Sequence, residues 1–397
     1  MLTRIQRDIA RDILVMFGLS LFVMTLMVML IGVAREALSQ GLGVVGVLRL
    51  LPYAMPNALS LAVPGTALFS VCCVYGRMSA DNEFTTLQSV GVSPITAIWP
   101  AIGIATLLSL ATVGLINTAF TWGFNGIQHV VLSSVENVAY GVLQRERSFQ
   151  HGDLSLSVRD VNGRNLVEPV IGIRRPNQES ISIEAKSAVL RYNDEEKGLT
   201  LSVTDGTATI EGKASFHFPD TFVHTVPLRT EPPYDVLTAN PSHMPMSDLP
   251  IASSKQSQEI VRRESSIAVE TGINILTGRV HEIVGATAMA HHDAVREGRK
   301  RLQRLDAEMH RRWASGFTCF ALAMVGVPLA IRLKTADTMT TFGIVFLPTL
   351  LVYYPIFALT LDMAKDGRIA ACGVWIANAV FVLLSIVMMR KTIYSPV

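Results

Sequence analysis

Cysteine is scarce in this chain: Cys72, Cys73, Cys319 and Cys372 are the four among 397 residues, and all fall inside apolar runs. The polar middle has none, which excludes a disulfide framework or a thiolate metal site there. Small residues packed in apolar surroundings need no further role. Charge is scarce as well. Only 17% of the residues are charged, against about a quarter in an average globular protein. A formal net charge of +2 is no basic surplus of the kind that attracts nucleic acid. No G-x-x-x-x-G-K-[ST] occurs, so the chain has no P-loop for ATP hydrolysis. No nucleophile-elbow serine and no pair of catalytic acids stands out. "GLGVVG", Gly41 to Gly46, has dinucleotide spacing, but an apolar helix precedes it and Thr66 stands where an acid is needed. "HEIVG", His281 to Gly285, lacks the second histidine of a zinc helix. His291, His292 and Asp293 are neighbours on a helix and point apart. No metal and no cofactor is expected.

Apolar length is what the sequence has. Half of its residues are hydrophobic. They gather in six uncharged runs: Ile13–Ala34, Leu50–Tyr75, Ile95–Trp122, Trp313–Ile331, Thr341–Leu361 and Ile369–Met389. About 20 apolar residues in a helix cross a core of roughly 30 Å. The first run is too long for a signal peptide and lacks a small-residue cleavage site. Three membrane helices, a long polar middle and three more helices are predicted. Buried acids and bases, which mark ion or proton relays, are missing from the runs. That argues against ion-coupled transport and suits energy supplied from elsewhere. Pro52, Pro56, Pro64, Pro100, Pro328, Pro348 and Pro355 lie within the runs. Each frees a carbonyl and kinks its helix, which suits either a bundle that rearranges or one that packs around kinks.

Orientation follows from basic residues in the short loops. With the N-terminus inside, the cytoplasmic segments hold Arg4, Arg7, Arg11, Arg77, Arg332, Lys334, Arg390 and Lys391; the short outer loops hold Arg35, Arg49, Lys365 and Arg368. The excess places both ends in the cytoplasm and the middle outside it.

In the middle, from about Asp153 to Val226, the period becomes two. Leu154, Leu156 and Val158 alternate with Ser155, Ser157 and Arg159; Ile181, Ile183 and Ala185 with Ser182 and Glu184; Leu199, Leu201 and Val203 with Thr200 and Ser202. Ala208, Ile210, Phe216 and Phe218 follow. Turn signals fall at Asn162-Gly163, Asn193 to Gly198, Asp205-Gly206, Glu211-Gly212 and Pro219-Asp220. Short strands with tight turns predict an antiparallel sandwich or jelly roll. Such a fold either packs its interior or encloses an apolar groove lined by Leu156, Ile183, Leu201 and Phe216. A Pro-rich linker, Glu231 to Pro250, follows. Ser253 to Arg312 then reads as a charged, solvated helix entering the fourth span, with i,i+4 pairs such as Glu297 and Arg301.

The stretch "YGRMSADNEFTTLQSVGVSP", Tyr75 to Pro94, sets a polar helix in the short gap between the second and third runs. On a helical wheel Glu83, Leu87 and Val90 share a face with Ala80 and Phe84 beside them. Gly91 and Pro94 stop the helix. One carboxylate in a small apolar stripe fits two arrangements. It is a key for a partner's groove, or an amphipathic helix on the membrane surface.

This stretch resembles the cytoplasmic coupling segment of the lipopolysaccharide export permease family, LptF/LptG (YjgP/YjgQ). So do "EMHRRWASGFTCFALAMVGVPLAI", the Tyr353-Tyr354 pair, and "WIAN" at Trp375 to Asn378. The resemblance implies an α-helical membrane protein with six transmembrane helices and an inserted periplasmic all-β jelly-roll-like domain. Its parts would be 1–122 with a coupling helix at 79–91, 123–250 for the β-domain and linker, 251–312 for a helical connector, and 313–397 for the last three helices. It implies the permease subunit of an ABC transporter in the bacterial inner membrane, with no ATPase of its own. The expected partners are a cytoplasmic ABC ATPase dimer, a second permease subunit, periplasmic β-jelly-roll bridge proteins, and lipopolysaccharide or a related glycolipid. Glu83 matches the family's coupling-helix glutamate; Phe84, Leu87, Val90 and Arg77 complete the expected ATPase-coupling set. The connector Ser253–Arg312 looks longer than the family's usual one.

The resemblance also gives the outer-rim arginines a role. Arg35, Arg145, Arg147, Arg311 and Arg312 flank the outer ends of the first, third and fourth spans. Guanidinium forks bind phosphate, so these are the expected substrate-binding residues; snorkelling to ordinary headgroups is the other use of such arginines. Two other functions fit parts of the pattern. A macrolide- or lipoprotein-type exporter subunit usually has four spans rather than six. A scaffold displaying the β-domain needs no coupling helix.

Overall fold

The computed structural model describes residues 4–40, 44–91, 93–151, 154–173, 181–193, 198–210, 214–227, 235–279, 285–333 and 338–394. Nine α-helices are found among them. These are α1 (Arg4–Gln40), α2 (Val44–Ala80), α3 (Glu83–Ser89), α4 (Pro94–Thr118), α5 (Phe124–Glu146), α6 (Leu249–Leu276), α7 (Ala286–Leu333), α8 (Thr338–Lys365) and α9 (Ile376–Tyr394). Six stretches are long and apolar enough to cross a membrane: Arg4–Arg35, Gly46–Ala80, Pro94–Val130, Ala288–Leu333, Phe342–Lys365 and Ala371–Lys391. Each covers one of the six runs read from the sequence, four of them completely and the last two but for one or two residues at the start. The start of "GLGVVG", most of "HEIVG", and the Glu211-Gly212 turn lie outside the described residues.

The chain forms two units. The first comprises Met1–Leu30, Tyr53–Phe124 and Tyr234–Val397. Its core joins Leu68, Cys72 and Tyr75 of α2, Ala97 and Ala101 of α4, Ala321 and Val325 of α7, and Ala377 of α9. Small residues let these helices approach closely, as membrane bundles require. A Cβ on Gly316 of α7 would stand 3.0 Å from the backbone nitrogen of Val113 and 3.1 Å from the carbonyl of Ser109, both on α4. The apolar window of α7 is 78% buried within the chain, that of α1 only 17%. α7 is therefore central, and α1 turns most of its surface outward.

Two of the prolines have visible compensation. Pro100 cannot donate to the Thr96 carbonyl, and Gln6 of α1 donates to it instead at 3.2 Å. Pro328 cannot donate to the Met324 carbonyl, which accepts from the Ser385 hydroxyl of α9. The freed acceptors are bound by neighbouring helices, as a low-dielectric setting demands. Tyr353 of α8 binds Thr318 of α7 at 2.7 Å and Asn378 of α9 at 2.6 Å, while Asn378 donates to the Ala314 carbonyl at 2.9 Å.

Within 251–312, expected as a helical connector, the described residues form two helices. α6 runs antiparallel to the first half of α7. The pairing is fixed by Ser253 with Asp306, Glu264 with Arg299, and Glu270 with His291.

The second unit comprises Ile31–Pro52 and Asn125–Pro233. Residues 124–146, expected at the start of the β-domain, are the helix α5, and the sheet begins only at Ser148. Its strands are β1 (Ser148–His151), β2 (Leu154–Ser157), β3 (Asp160–Asn162), β4 (Asn165–Val167), β5 (Val170–Ile173), β6 (Ile181–Asn193), β7 (Gly198–Ile210) and β8 (Ala214–Pro227). All described pairings are antiparallel. β6 pairs along its whole length with β7, while β5 and β4 share its other edge. β8 pairs with β7 alone among the described residues. A sheet that carries two separate pairs on one edge curls.

Two turn signals act differently from expectation. Asp205-Gly206 lies inside β7 and Pro219-Asp220 inside β8, opposite one another. Together they make a bulge, with Asp205 at φ 54°. A bulge uses the same turn-prone residues without ending the strand. A Cβ on Gly206 would meet the Phe218 ring at 2.6 Å, so glycine lets that ring lie across the strand. The core joins Leu156, Ile171, Ile183, Leu190 and Leu201 to Tyr140 and Leu143 of α5. The Tyr140 hydroxyl donates to the Arg164 carbonyl at 2.7 Å and accepts from the Leu190 N–H at 2.9 Å. Burial, more than its charged neighbours, raises the Tyr140 phenol above its ordinary value. Phe216, read as inward, is exposed, as are Phe222 and Val223 on the same strand.

Candidate functional site

The segment between α2 and α4 is built by two helix breaks. α2 continues past its apolar run to Ala80, and its end is closed by the N–H groups of Asp81 and Asn82 on the carbonyls of Arg77 (2.9 Å) and Ser79 (3.2 Å). Asn82 then takes a left-handed φ of 57°, a conformation asparagine tolerates. Its carbonyl accepts from the Thr86 N–H at 3.0 Å and starts α3. The short helix therefore covers Glu83–Ser89 rather than 79–91. Gly91, at φ 81°, follows it, and Pro94 opens α4.

The residues expected on one stripe are divided. Phe84 is 9% exposed and stacks on Tyr75 with ring centroids 6.2 Å apart. Leu87 packs against the same core. Tyr75 donates to the Ala97 carbonyl of α4 at 2.8 Å, and Ser79 to the Ile331 carbonyl of α7 at 2.6 Å. Phe84 and Leu87 thus hold α3 onto the bundle. Val90, 75% exposed, and Glu83 remain on the surface.

Beside Glu83 opens a cavity of about 400 Å³, lined by Asp8, Asp12, Arg77, Thr86 and Leu87 among others. Arg77 is paired with Asp12 of α1, both about half exposed. Three carboxylates face one guanidinium, so the mouth favours a cation. Among the described residues no group of three or more His, Cys, Asp or Glu could hold a metal ion.

The rim arginines separate into different surroundings. Arg35 of α1 is exposed; so is Arg147, which sits between α5 and β1 at φ 56°. The side chain of Arg145 lies outside the described set. Arg311 donates through Nε and Nη2 to Glu308, with its guanidinium 4.7 Å above the Phe120 ring. Arg312 is fully buried. Its Nε donates to Glu308 at 3.1 Å, Nη1 to Asn117 at 3.1 Å, and Nη2 to the carbonyls of Ser242 at 3.1 Å and Met244 at 2.7 Å. A guanidinium with every nitrogen engaged and no exposed surface has nothing to give a ligand in this conformation. Glu308 and Asn117 were not singled out from the sequence. Their signals were an acid four residues before Arg312 and an asparagine within an otherwise apolar run.

A family model described as lipopolysaccharide export system permease LptF/LptG matches residues 7–391. No curated protein matches the chain.

Proposed function

The chain belongs to the lipopolysaccharide export permease family LptF/LptG, and from that membership we propose that it is the membrane subunit of an ATP-driven exporter. It takes lipopolysaccharide, or a related glycolipid, from the inner membrane and passes it to a periplasmic bridge. Membership makes the chain a multi-pass inner-membrane permease subunit rather than an enzyme. ATP hydrolysis falls to a separate cytoplasmic partner.

The observation that carries this reading is the mounting of α3. A helix that receives force must be fastened to what it moves. Phe84 packs α3 onto Tyr75, Tyr75 and Ser79 bind the end of α2 to α4 and α7, and Glu83 stands exposed beside a carboxylate-rich cavity. A basic group of the ATPase fits there, so closure of the ATPase dimer would move the spans instead of flexing a loop. The outward surface of α1 suits a lateral gate shared with a second permease subunit. The edge of β8 that has no strand partner among the described residues, with Phe216, Phe222 and Val223 exposed, suits strand addition to the β-domain of a bridge protein. Among the rim arginines whose side chains are described, Arg35 and Arg147 are exposed and so open to a phosphate.

The test is purification of the chain with its co-expressed ATPase and permease partner in lipid nanodiscs. The expected result is a stable complex whose ATPase activity responds to lipopolysaccharide. A chain that retains no ATPase through purification overturns the reading.

A further inference from the structure

Between α4 and α5 the third span contains a single π-turn, Ala119–Gly123. Such turns are frequent at functional positions. Around this one, within the first unit, four stretches of chain converge. A Cβ on Gly123 would sit 2.8 Å from the Tyr53 carbonyl oxygen of α2, and Trp122 packs on the Tyr53 ring at 4.8 Å. Phe124 packs on His243 at 3.6 Å. Asn117, just before the π-turn, uses one oxygen for two bonds: it accepts from Arg312 at 3.1 Å and from the Met246 N–H at 3.0 Å. Further along α7, Arg301 donates to the carbonyls of Val236 (3.2 Å), Thr238 (3.3 Å) and Ala239 (2.8 Å). The stretch 236–246 has one short 3-10 turn, Pro241–His243. Its carbonyls are instead bound by two arginines of α7.

Where the chain goes next gives these bonds their meaning. Phe124 is the last residue of the first unit before the segment that carries the sheet, and Tyr234 is the first residue on return. The stretches that flank that segment, 117–124 before it and 236–246 after it, are both bound to α7 beside the π-turn. We infer that Arg312, Asn117 and Glu308 form a clasp that positions the two tethers of the sheet-bearing domain, so that a movement of the third and fourth spans reaches both together. Arg312 and Asn117 are positioning residues and touch no substrate. The clasp rests on the permease reading only for its use in transport; its existence is read separately.

The measurement is hydrogen exchange of the 236–246 amides in the full complex, together with photo-crosslinking of lipopolysaccharide to the sheet-bearing domain. In the wild type these amides exchange slowly. Asn117→Ala accelerates them at least tenfold, keeps basal ATPase activity and lowers glycolipid capture at least fivefold. Asn117→Asp retains the accepting oxygen and stays close to wild type. Capture by Asn117→Ala returns when cysteines placed at Phe124 and His243, in a Cys372→Ser background, are joined by a short bismaleimide. Arg312→Lys, which keeps charge and loses the fork, gives the same exchange result if Asn117→Ala misfolds. Fast exchange in the wild type overturns the clasp. A released tether with undiminished capture overturns its role. A wild type that captures no lipopolysaccharide overturns the permease reading instead, and exchange alone then judges the clasp.

Discussion

Tyr353 on α8 and Asn378 on α9 share a buried 2.6 Å hydrogen bond, and Thr318 on α7 approaches the same phenol at 2.7 Å. Three helices are thus pinned at one oxygen. Tyr353→Phe keeps the ring contacts with Phe357 and Phe381 and removes only that oxygen. A side-chain hydrogen bond inside a membrane bundle is worth about 0.6 kcal/mol on average, and leaving buried groups unpaired costs about 1–3 kcal/mol. The expected loss is about 1–2 kcal/mol, measured by unfolding in mixed micelles. Because the partners act together, Tyr353→Phe with Asn378→Leu should cost less than the sum of the two. Additive losses would show that the three helices are not joined there.

Glu83→Ala should leave the chain folded and inserted, because Glu83 is exposed while Phe84 carries the packing. A docked charged hydrogen bond is worth about 1.5–3 kcal/mol, so ATPase affinity should fall roughly tenfold to a hundredfold. Pull-down of the ATPase at graded concentration checks this. Phe84→Ala should instead lower stability as well as affinity. Unchanged binding by Glu83→Ala removes the residue from the coupling contact.

Gly316→Ala should destabilise the packing of α7 on α4 by about 1–3 kcal/mol, since the new methyl meets backbone atoms that cannot give way. Gly343→Ala is the control: a Cβ there meets nothing within 4 Å. It should be neutral, or stabilising by about 0.5–1 kcal/mol through lower helix entropy loss. Thermal unfolding of both variants distinguishes close packing from general intolerance of alanine.

Acyl chains contribute burial of about 0.8 kcal/mol per CH₂, which ordinary phospholipids offer too. Selection of a glycolipid must then come from its headgroup. Arg35→Glu is expected to weaken lipopolysaccharide crosslinking far more than Arg35→Lys, which keeps the charge and loses the fork. Equal crosslinking by the two variants would exclude Arg35 from recognition.

A photo-crosslinker at Phe216 or Val223 should capture the β-domain of a bridge protein, whereas one at Arg159, on the surface but off β8, should not. Lysine at Phe222 should weaken the contact, since charges on an edge strand discourage pairing. Capture from Arg159 at the same yield would show that β8 is not the docking edge.

The membrane helices were legible because the bilayer writes its thickness into the sequence as apolar length. The strand alternation of Leu156, Ile183 and Leu201 was legible for a similar reason, as one face is buried. The bulge at Asp205 was not, because the residues that favour a turn also favour a bulge, and only the pairing partner tells them apart. α5 was missed because the apolar run ends at Trp122 while the helix continues with mixed polarity, its Ala139, Tyr140 and Leu143 packing on the sheet. At the candidate site, exposure of Glu83 was legible from its charge. Burial of Phe84 was not, since its contact with Tyr75 needs the αL break at Asn82. Arg312 misled for a related reason: a sequence shows that a cation is present and says nothing of the carbonyls it will meet.

α7 is 48 residues long, with Pro328 close to one end. The hydroxyl of Ser385 satisfies the carbonyl that this proline frees, so the helix stays continuous at its weakest backbone bond. From Pro328 back to Ala286 the helix measures roughly 60 Å at about 1.5 Å per residue. Turned about Pro328 by roughly 5°, it would carry its far end about 5 Å and the level of Arg312 about 2 Å, from the same rise per residue. Such a helix would be a mechanical amplifier: a movement of about 2 Å at the level of Arg312 would become, at Ala286, as large as the spacing between neighbouring β-strands.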